Sequence, residues 1–454
     1  MPALTRLSRR ARWALAILLI ALAALPVLAR YLVFWPADQW QVDVAVYRMA
    51  GESVLVGRPV YAAMTEAPQL LPFTYPPFAA LLAVPLALMP FGLVGWLWSI
   101  AQVTATAATV WLAGQRFIRR TGSFAPLAWA LLIVPMLWLH PVSDGVRFGQ
   151  VNAFLVLAVV LDLARPRWVR RLPVGMLVGF ATAIKLTPAV FIVHFLICRR
   201  WRAAITATAT AAGATVFAWL VLPAASFAFW GGVLQDPSRL GPNRGTSNQS
   251  MRGVLLRIGP DGLPGTAIWL LLALLVAWVG FTLARRYYLL GDWVGQVATV
   301  GLIALLVSPV SWIHHYQWMI VIIPALLGRG PDHLAKPWPD IESWWRATFA
   351  GPDNAGTRYA AIMTIWFLCR GPWWGISLVA QGAPWVVLGR VLQNIDCCGA
   401  LLALAMLWRL AAGRWRPAAD RWRPGIDPAE PNGTSARTMP NVSSSVNAGS
   451  VSAP

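Results

Sequence analysis

Residues 41–77 read QVDVAVYRMAGESVLVGRPVYAAMTEAPQLLPFTYPP, and their reading decides how the rest of the chain is understood. They follow an apolar run, Trp13 to Phe34, that stands behind four arginines between Arg6 and Arg12. The run is too long for a secretory leader and no small-residue cleavage site closes it. It therefore reads as an uncleaved first span with the N-terminus in the cytoplasm. The stretch behind it is then external. From Val42 to Tyr61 the pattern is mildly amphipathic until Gly57-Arg58-Pro59 interrupts it. Leu71 to Phe78 then leads back into apolar sequence through Pro76 and Pro77, which donate no backbone hydrogen bond and restrict the residue before them. A bent backbone at membrane depth survives only when packed on protein or lining a cavity. The stretch is expected to roof a cavity at the outer face, with Asp43 pointing into it.

Composition sets the class. Of 454 residues 58% are hydrophobic and 12% charged, with a mean hydropathy of +0.60, which implies an all-α integral membrane protein. A polytopic bundle of about 10–13 transmembrane helices fits this length. Lys+Arg number 37 against 17 Asp+Glu. The arginines gather at the ends of apolar runs, so membrane lipids with anionic headgroups are the expected partner, and nucleic acid is not. Cys198, Cys369, Cys397 and Cys398 have neither metal-ligand nor disulfide-framework spacing and read as buried thiols.

Phe78 to Met89 is too short to cross alone and reads as a re-entrant or broken helix. Phe91 to Ala113 goes in, Phe124 to Leu139 goes out, His140 to Asn152 turns outside, and Val151 to Leu163 returns to a basic loop at 165–171. Leu172 to Cys198 is interrupted at Lys185-Leu186-Thr187-Pro188, the pattern of a hairpin of short helices with Lys185 near its outer tip. Ala203 to Leu222, Thr266 to Ala284, Trp293 to Pro309, Tyr316 to Leu327, Tyr359 to Ala380 and Val391 to Leu410 bring the crossings to about twelve. The expected organisation is a cytoplasmic N-terminus (1–12), a polytopic membrane domain (13–412) with external loops at 36–77 and 223–264, a mixed-charge inner loop (328–358), and a disordered basic tail (413–454).

On this topology Asp43, Tyr75, the Arg147–Gln150–Asn152 turn, Lys185, the Asn248–Gln249 loop and His314–His315 converge on one face. Ionisable groups near membrane depth are expensive and by default mark a polar pathway or a site. Each also has a plainer reading. Asp43 suits a helix cap, with Glu52, Glu66, Asp144, Asp236 and Asp261 as rival carboxylates. Lys185 suits a snorkelling interface cation, and Arg147 a surface pair with Asp144. Neighbouring histidines point about 100° apart on a helix and chelate one metal poorly. No HExxH or DxD accompanies them, so no metal and no cofactor are expected. His140, His194 and His333 read as structural or solvated.

The segments VDVAVYRMAG (42–51), LPFTYPPFAALLAVPL (71–86), RFGQVNAFL (147–155), AIKLTPA (183–189), NQSMRGVLLR (248–257) and SPVSWIHHYQW (308–318) together resemble glycosyltransferase family 87. These are actinobacterial polyprenol-phosphate-mannose-dependent α-(1→2)-mannosyltransferases of the multi-span class C fold. The resemblance implies that residues 13–412 are a catalytic domain in the bacterial plasma membrane, with its site facing the periplasm. It implies a polyprenyl-phosphate-mannose donor and a glycolipid acceptor: a phosphatidylinositol mannoside, lipomannan or lipoarabinomannan. The family's first-loop aspartate maps onto Asp43.

A β-linked donor and an α-linked product require one inversion, hence one general base and no nucleophile, and Asp43 is the candidate. The departing lipid phosphate needs fixed cations, for which Lys185, Arg147, His314 and His315 are candidates, with Arg252 in reserve. Tyr75, Gln150, Asn152, Asn248 and Gln249 are candidates to read sugar hydroxyls. A polyprenyl-phosphate-arabinofuranose donor is the rival within the fold. A flippase or transporter ranks lower, since no internal repeat is visible.

Overall fold

The computed structural model describes residues 7–328, 343 and 355–414. The chain divides into two compact units, Met1–Trp415 and Arg416–Pro454. The second unit, with the expected basic tail, lies outside the described residues, as do residues 1–6, His333 and most of the 328–358 loop.

Among the described residues the regular elements are all helical. Helix α1 (Arg9–Leu32) starts on Ser8, whose hydroxyl accepts the Ala11 N–H, and its 24 residues are ample to cross a bilayer. Helix α2 (Val42–Leu55) fills the first expected external loop. Helix α3 (Pro77–Ala87) begins on a proline, whose missing donor costs nothing at a first helical position, and ends before Pro90. Helices α4 (Phe91–Ala113) and α5 (Ala125–Trp138) follow as expected. Helices α6 (His140–Phe148) and α7 (Asn152–Ala164) meet at a 118° bend, where Gly149 takes a left-handed φ of 76°.

The Lys185 interruption separates α8 (Met176–Ile184) from α9 (Val190–Ile197), and the turn Cys198–Arg200 leads into α10 (Trp201–Val221). A Cβ on Gly175 would stand 2.1 Å from the Ala203 carbonyl oxygen, and one on Gly179 2.3 Å from that of Ala207. The two approaches advance in the same sense, so α8 runs parallel to α10. Helix α9 doubles back to the start of α10, which leaves Lys185 at the tip of the α8–α9 pair.

The second expected external loop holds two short helices, α11 (Pro223–Gly231) and α12 (Met251–Ile258). Helix α13 (Gly262–Leu289) has Leu263, Leu271, Leu274 and Trp278 largely exposed, a surface suited to lipid. Helix α14 (Trp293–Val307) and, beyond the 3-10 turn Ile313–Trp318, α15 (Met319–Leu327) are buried nearly all round and form the centre of the core.

The remaining helices are α16 (Ala355–Leu368), α17 (Gly371–Ala380), α18 (Val386–Gln393) and α19 (Ile395–Arg414). Here the structure departs from the expected span Tyr359–Ala380. That segment breaks at Cys369–Arg370, where Pro372 cannot continue a helical hydrogen-bond ladder and Arg370 turns to bond Asp144 at 2.9 Å.

Six helical stretches among the described residues are long and apolar enough to cross a membrane, and the bent α6–α7 pair makes a seventh. Pro77–Ala87, Thr187–Ile197, Trp293–Val307 and Ile313–Leu327 are apolar but shorter. Arginines meet at one end of the bundle. Arg12 donates to the Ser123 carbonyl at 3.0 Å, Arg200 lies over Tyr288, and Arg116 is paired with Asp292 at 2.6 Å. The candidate site is at the end of α1 remote from Arg12.

Candidate functional site

Helix α2 starts abruptly. Its N-cap, Gln41, is left-handed (φ 49°), and the Gln41 amide donates to the Val146 carbonyl at 2.8 Å, tying the helix start to α6. Asp43 therefore sits in the first turn, where exposed backbone N–H groups favour a carboxylate. The bend at Gly149 makes room for this helix start. A Cβ there would meet Val44 Cγ2 at 2.2 Å, a contact that glycine avoids. Close approach delivers Gln150, whose amide donates to Asp43 Oδ2 at 2.5 Å. Gln150 is itself held from behind by Gln102 of α4, which donates to the Gln150 carbonyl and, at 3.1 Å, to that of Gly145.

From the other side comes Lys185. Its ammonium donates to Asn152 Oδ1 at 3.1 Å and to His315 Nε2 at 3.2 Å, and lies 5.2 Å from the centre of the Tyr75 ring. An ammonium has no lone pair, so His315 Nε2 must accept and carries no proton in this arrangement. Asn152 is fixed by donating to the His314 carbonyl at 3.1 Å. The Tyr75 hydroxyl lies 3.1 Å from that of Tyr47 and 3.4 Å from Gln150 Oε1. A cavity of about 30 Å³, room for a water or two, opens beside Lys185 between Asn152, Pro188, Ser311 and His315.

Asp43 is half-buried, and desolvation pushes its carboxyl up from 3.8 to about 6. The Gln150 hydrogen bond and the Lys185 charge hold it from rising further. It is thus mostly ionised at neutral pH yet basic enough to take a proton. Three rival carboxylates are occupied elsewhere. Glu52 pairs with Arg58 at 2.8 Å, Asp236 accepts from Ser238, and Asp261 pairs with Arg244. Asp144 is buried against Arg370 and His140, and Glu66 is exposed.

The structure brings together Asp43, Tyr75, Gln150, Asn152, Lys185 and His315. His314 packs edge-on to His315 and Phe148, with its buried Nε2 unpartnered. The others lie apart. Arg147 lies against the Trp35 and Phe148 rings and donates to Gln39. Arg252 lies over Trp269.

Asn248 and Gln249 are fully buried. Asn248 accepts from Ser250 and Ser311 N–H groups and donates to Asn243 and Pro309 carbonyls, while Gln249 donates to Thr246 and Gln393. These bonds clamp the second loop to the 308–318 turn. His194, bonded to Gln296 at 3.1 Å, is structural as expected. Sequence reasoning missed Gln102, Gln41 and Tyr47, which hold the site from behind. A glutamine inside the apolar run 91–113 was the available signal for the first.

Comparison with known proteins places the chain in a family. Residues 73–309 match the model of glycosyltransferase family 87. The chain is 35% identical over 394 residues to the polyprenol-phosphate-mannose-dependent alpha-(1-2)-phosphatidylinositol pentamannoside mannosyltransferase of Mycolicibacterium smegmatis, covering 82% of this chain and 88% of that protein. It is 34% identical over 343 residues to the corresponding phosphatidylinositol mannoside mannosyltransferase of Mycobacterium tuberculosis, covering 71% of this chain and 78% of that protein. No solved structure matches. A family match over half the chain, and relatives sharing a third of their residues along most of their length, lead to one conclusion: the chain belongs to glycosyltransferase family 87.

Proposed function

We propose that the chain transfers mannose from a polyprenyl-phosphate-mannose donor to a phosphatidylinositol mannoside acceptor, forming an α-(1→2) link by a single inversion at the periplasmic face. The observation that carries this reading is the meeting of one carboxylate and one ammonium from distant segments: Asp43 from the first loop and Lys185 from the α8–α9 tip. The donor and acceptor classes come from the relatives, whose names specify both.

The acceptor hydroxyl oxygen attacks the anomeric carbon as the bond from that carbon to the phosphate oxygen breaks. Asp43 takes the hydroxyl proton, and the electron pair leaves with the polyprenyl phosphate. Lys185, oriented by Asn152, His315 and the Tyr75 ring, stabilises the charge that grows on the phosphate. Gln150 fixes the Asp43 carboxylate toward the hydroxyl and, with Tyr75, is suited to sugar hydroxyls. A positioned base supplies roughly 10²–10⁴-fold, so the rest of the acceleration falls to positioning and charge stabilisation.

The test uses full-length protein in nanodiscs, offered polyprenyl-phosphate-mannose or polyprenyl-phosphate-arabinofuranose with phosphatidylinositol mannosides of different length. Mannose transfer that falls ~10²-fold or more in Asp43→Asn supports the reading. Turnover with the arabinofuranose donor alone, or undiminished in the variant, overturns it.

A further inference from the structure

Helix α6 carries a second group of charges, built around Asp144 and Arg147. Asp144 and Arg147 are three residues apart and share a face. Asp144, 1% exposed, is bonded by Arg370 at 2.9 Å and lies 3.2 Å from His140 Nε2. The Arg370 side chain keeps 31% of its surface exposed. The charge neighbours of Arg147 are Asp144, Tyr31, Arg370 and Arg30. Its guanidinium lies between the Trp35 ring at 4.4 Å and the Phe148 ring at 4.6 Å, with one nitrogen on Gln39 Oε1 at 3.3 Å. The Arg147 Nε is buried without an acceptor, and so is the indole N–H of Trp35 beside it.

The charge does not balance. Arg370 and Arg147 both draw on buried Asp144, Arg30 adds a third guanidinium beside Arg147, and the next acid, Asp396, has His140 and Asp144 as its neighbours. A buried donor left without an acceptor costs about 1–3 kcal/mol. Two such donors beside surplus cationic charge define what would complete the patch: a group made of acceptors and carrying negative charge. Guanidinium forks match the oxygens of phosphate. On the expected topology the patch stands at headgroup depth, because Arg30 is exposed in the last turn of α1 and Trp35 follows that span directly.

We propose that Arg147, Arg370 and Arg30, with Trp35, form a subsite for the phosphodiester of the acceptor lipid, separate from Lys185 and the donor phosphate. The inference rests on the reading of the acceptor as a phosphatidylinositol mannoside. Helix α6 joins the two places. Its end carries Arg147, and across the bend at Gly149 it carries the Gln150 that holds Asp43. The lipid phosphate is anchored on one side of this bend, and the glycan passes Phe148 and His314 to present its hydroxyl to the base on the other.

The test compares a phosphatidylinositol mannoside acceptor with an alkyl mannoside that has no phosphate, using the full chain in nanodiscs. Arg147→Gln should raise KM for the phosphate-bearing acceptor about tenfold or more, with kcat and the alkyl mannoside KM moving far less. Arg30→Gln, at an exposed position, should act in the same direction and guards against misfolding of the first variant. An equal loss on both acceptors, or a rise in donor KM instead, overturns the subsite. A second readout needs no turnover. Wild-type protein should unfold at higher temperature in phosphatidylinositol nanodiscs than in phosphatidylcholine ones, and Arg147→Gln should lose that difference. No difference, or equal stabilisation by inorganic phosphate, overturns the lipid assignment. Stabilisation in a protein that transfers no mannose would instead fault the proposed function and leave the subsite standing.

Discussion

At the scale of single residues the site depends on a carboxylate held between two pulls. Burial raises Asp43, while Gln150 and Lys185 restrain it at about 6. Transfer that uses this base should fall as pH drops through about 6, because the protonated acid cannot accept the acceptor's proton. Gln150→Leu removes a restraint, so the acid limb of a pH–rate profile should move to higher pH; a limb that stays in place separates Gln150 from the base. The same raised value has a sign for stability. Since the folded carboxyl ionises at about 6 rather than 3.8, its contribution to stability is full below 3.8 and is lost as pH rises through 6. Asp43→Asn should therefore keep or raise the unfolding temperature at pH 7, as thermal unfolding in detergent would show, even as transfer falls ~10²-fold or more. If Lys185 stabilises the leaving phosphate as proposed, Lys185→Ala should raise donor KM more than acceptor KM in steady-state kinetics.

At the scale of elements, two breaks in helical sequence make the site. The α8–α9 tip lifts Lys185 into it, and Thr187-Pro188 in the sequence announced that break. The α6–α7 bend is subtler, because only the left-handed Gly149 and its contact with Val44 explain why Gln150 reaches Asp43. Gly149→Val would force a β-branched residue into that backbone, at about 1–3 kcal/mol, and drive its side chain into Val44. A lowered unfolding temperature together with lost transfer is the expected result, and wild-type behaviour in both would show that the bend tolerates a side chain. Arg370 teaches the complementary lesson. Apolar residues on both sides made 359–380 look like one span, and hydropathy alone cannot register a buried partner such as Asp144.

At the scale of the whole molecule the two ends of the bundle differ in kind. One gathers arginines, among them Arg116, whose pair with Asp292 is 2% exposed on each side. Breaking a buried pair strands the remaining charge, at about 3–5 kcal/mol. Arg116→Met should accordingly lower the unfolding temperature in detergent, with no change in donor preference among molecules that remain folded. The other end carries Asp43 on a first loop that packs into a separate hydrophobic cluster, in which Val46, Tyr47, Ala50 and Phe73 meet Val151 and Leu155 of the α6–α7 region.

Hydropathy, arginine placement and proline breaks determined the class and most helix positions, because lipid exposure and backbone valence act on local sequence; they also brought Asp43, Gln150, Asn152, Lys185 and His315 forward as candidates. Which polar groups meet was decided by the tertiary structure. Asn248 and Gln249 read like ligand-binding side chains until their hydrogen bonds are seen to be spent inside the fold. Arg147 read like a partner of Lys185 until its guanidinium is seen against the Trp35 and Phe148 rings, bonded to Gln39. Composition says that a polar group must find a partner at membrane depth; only packing chooses which.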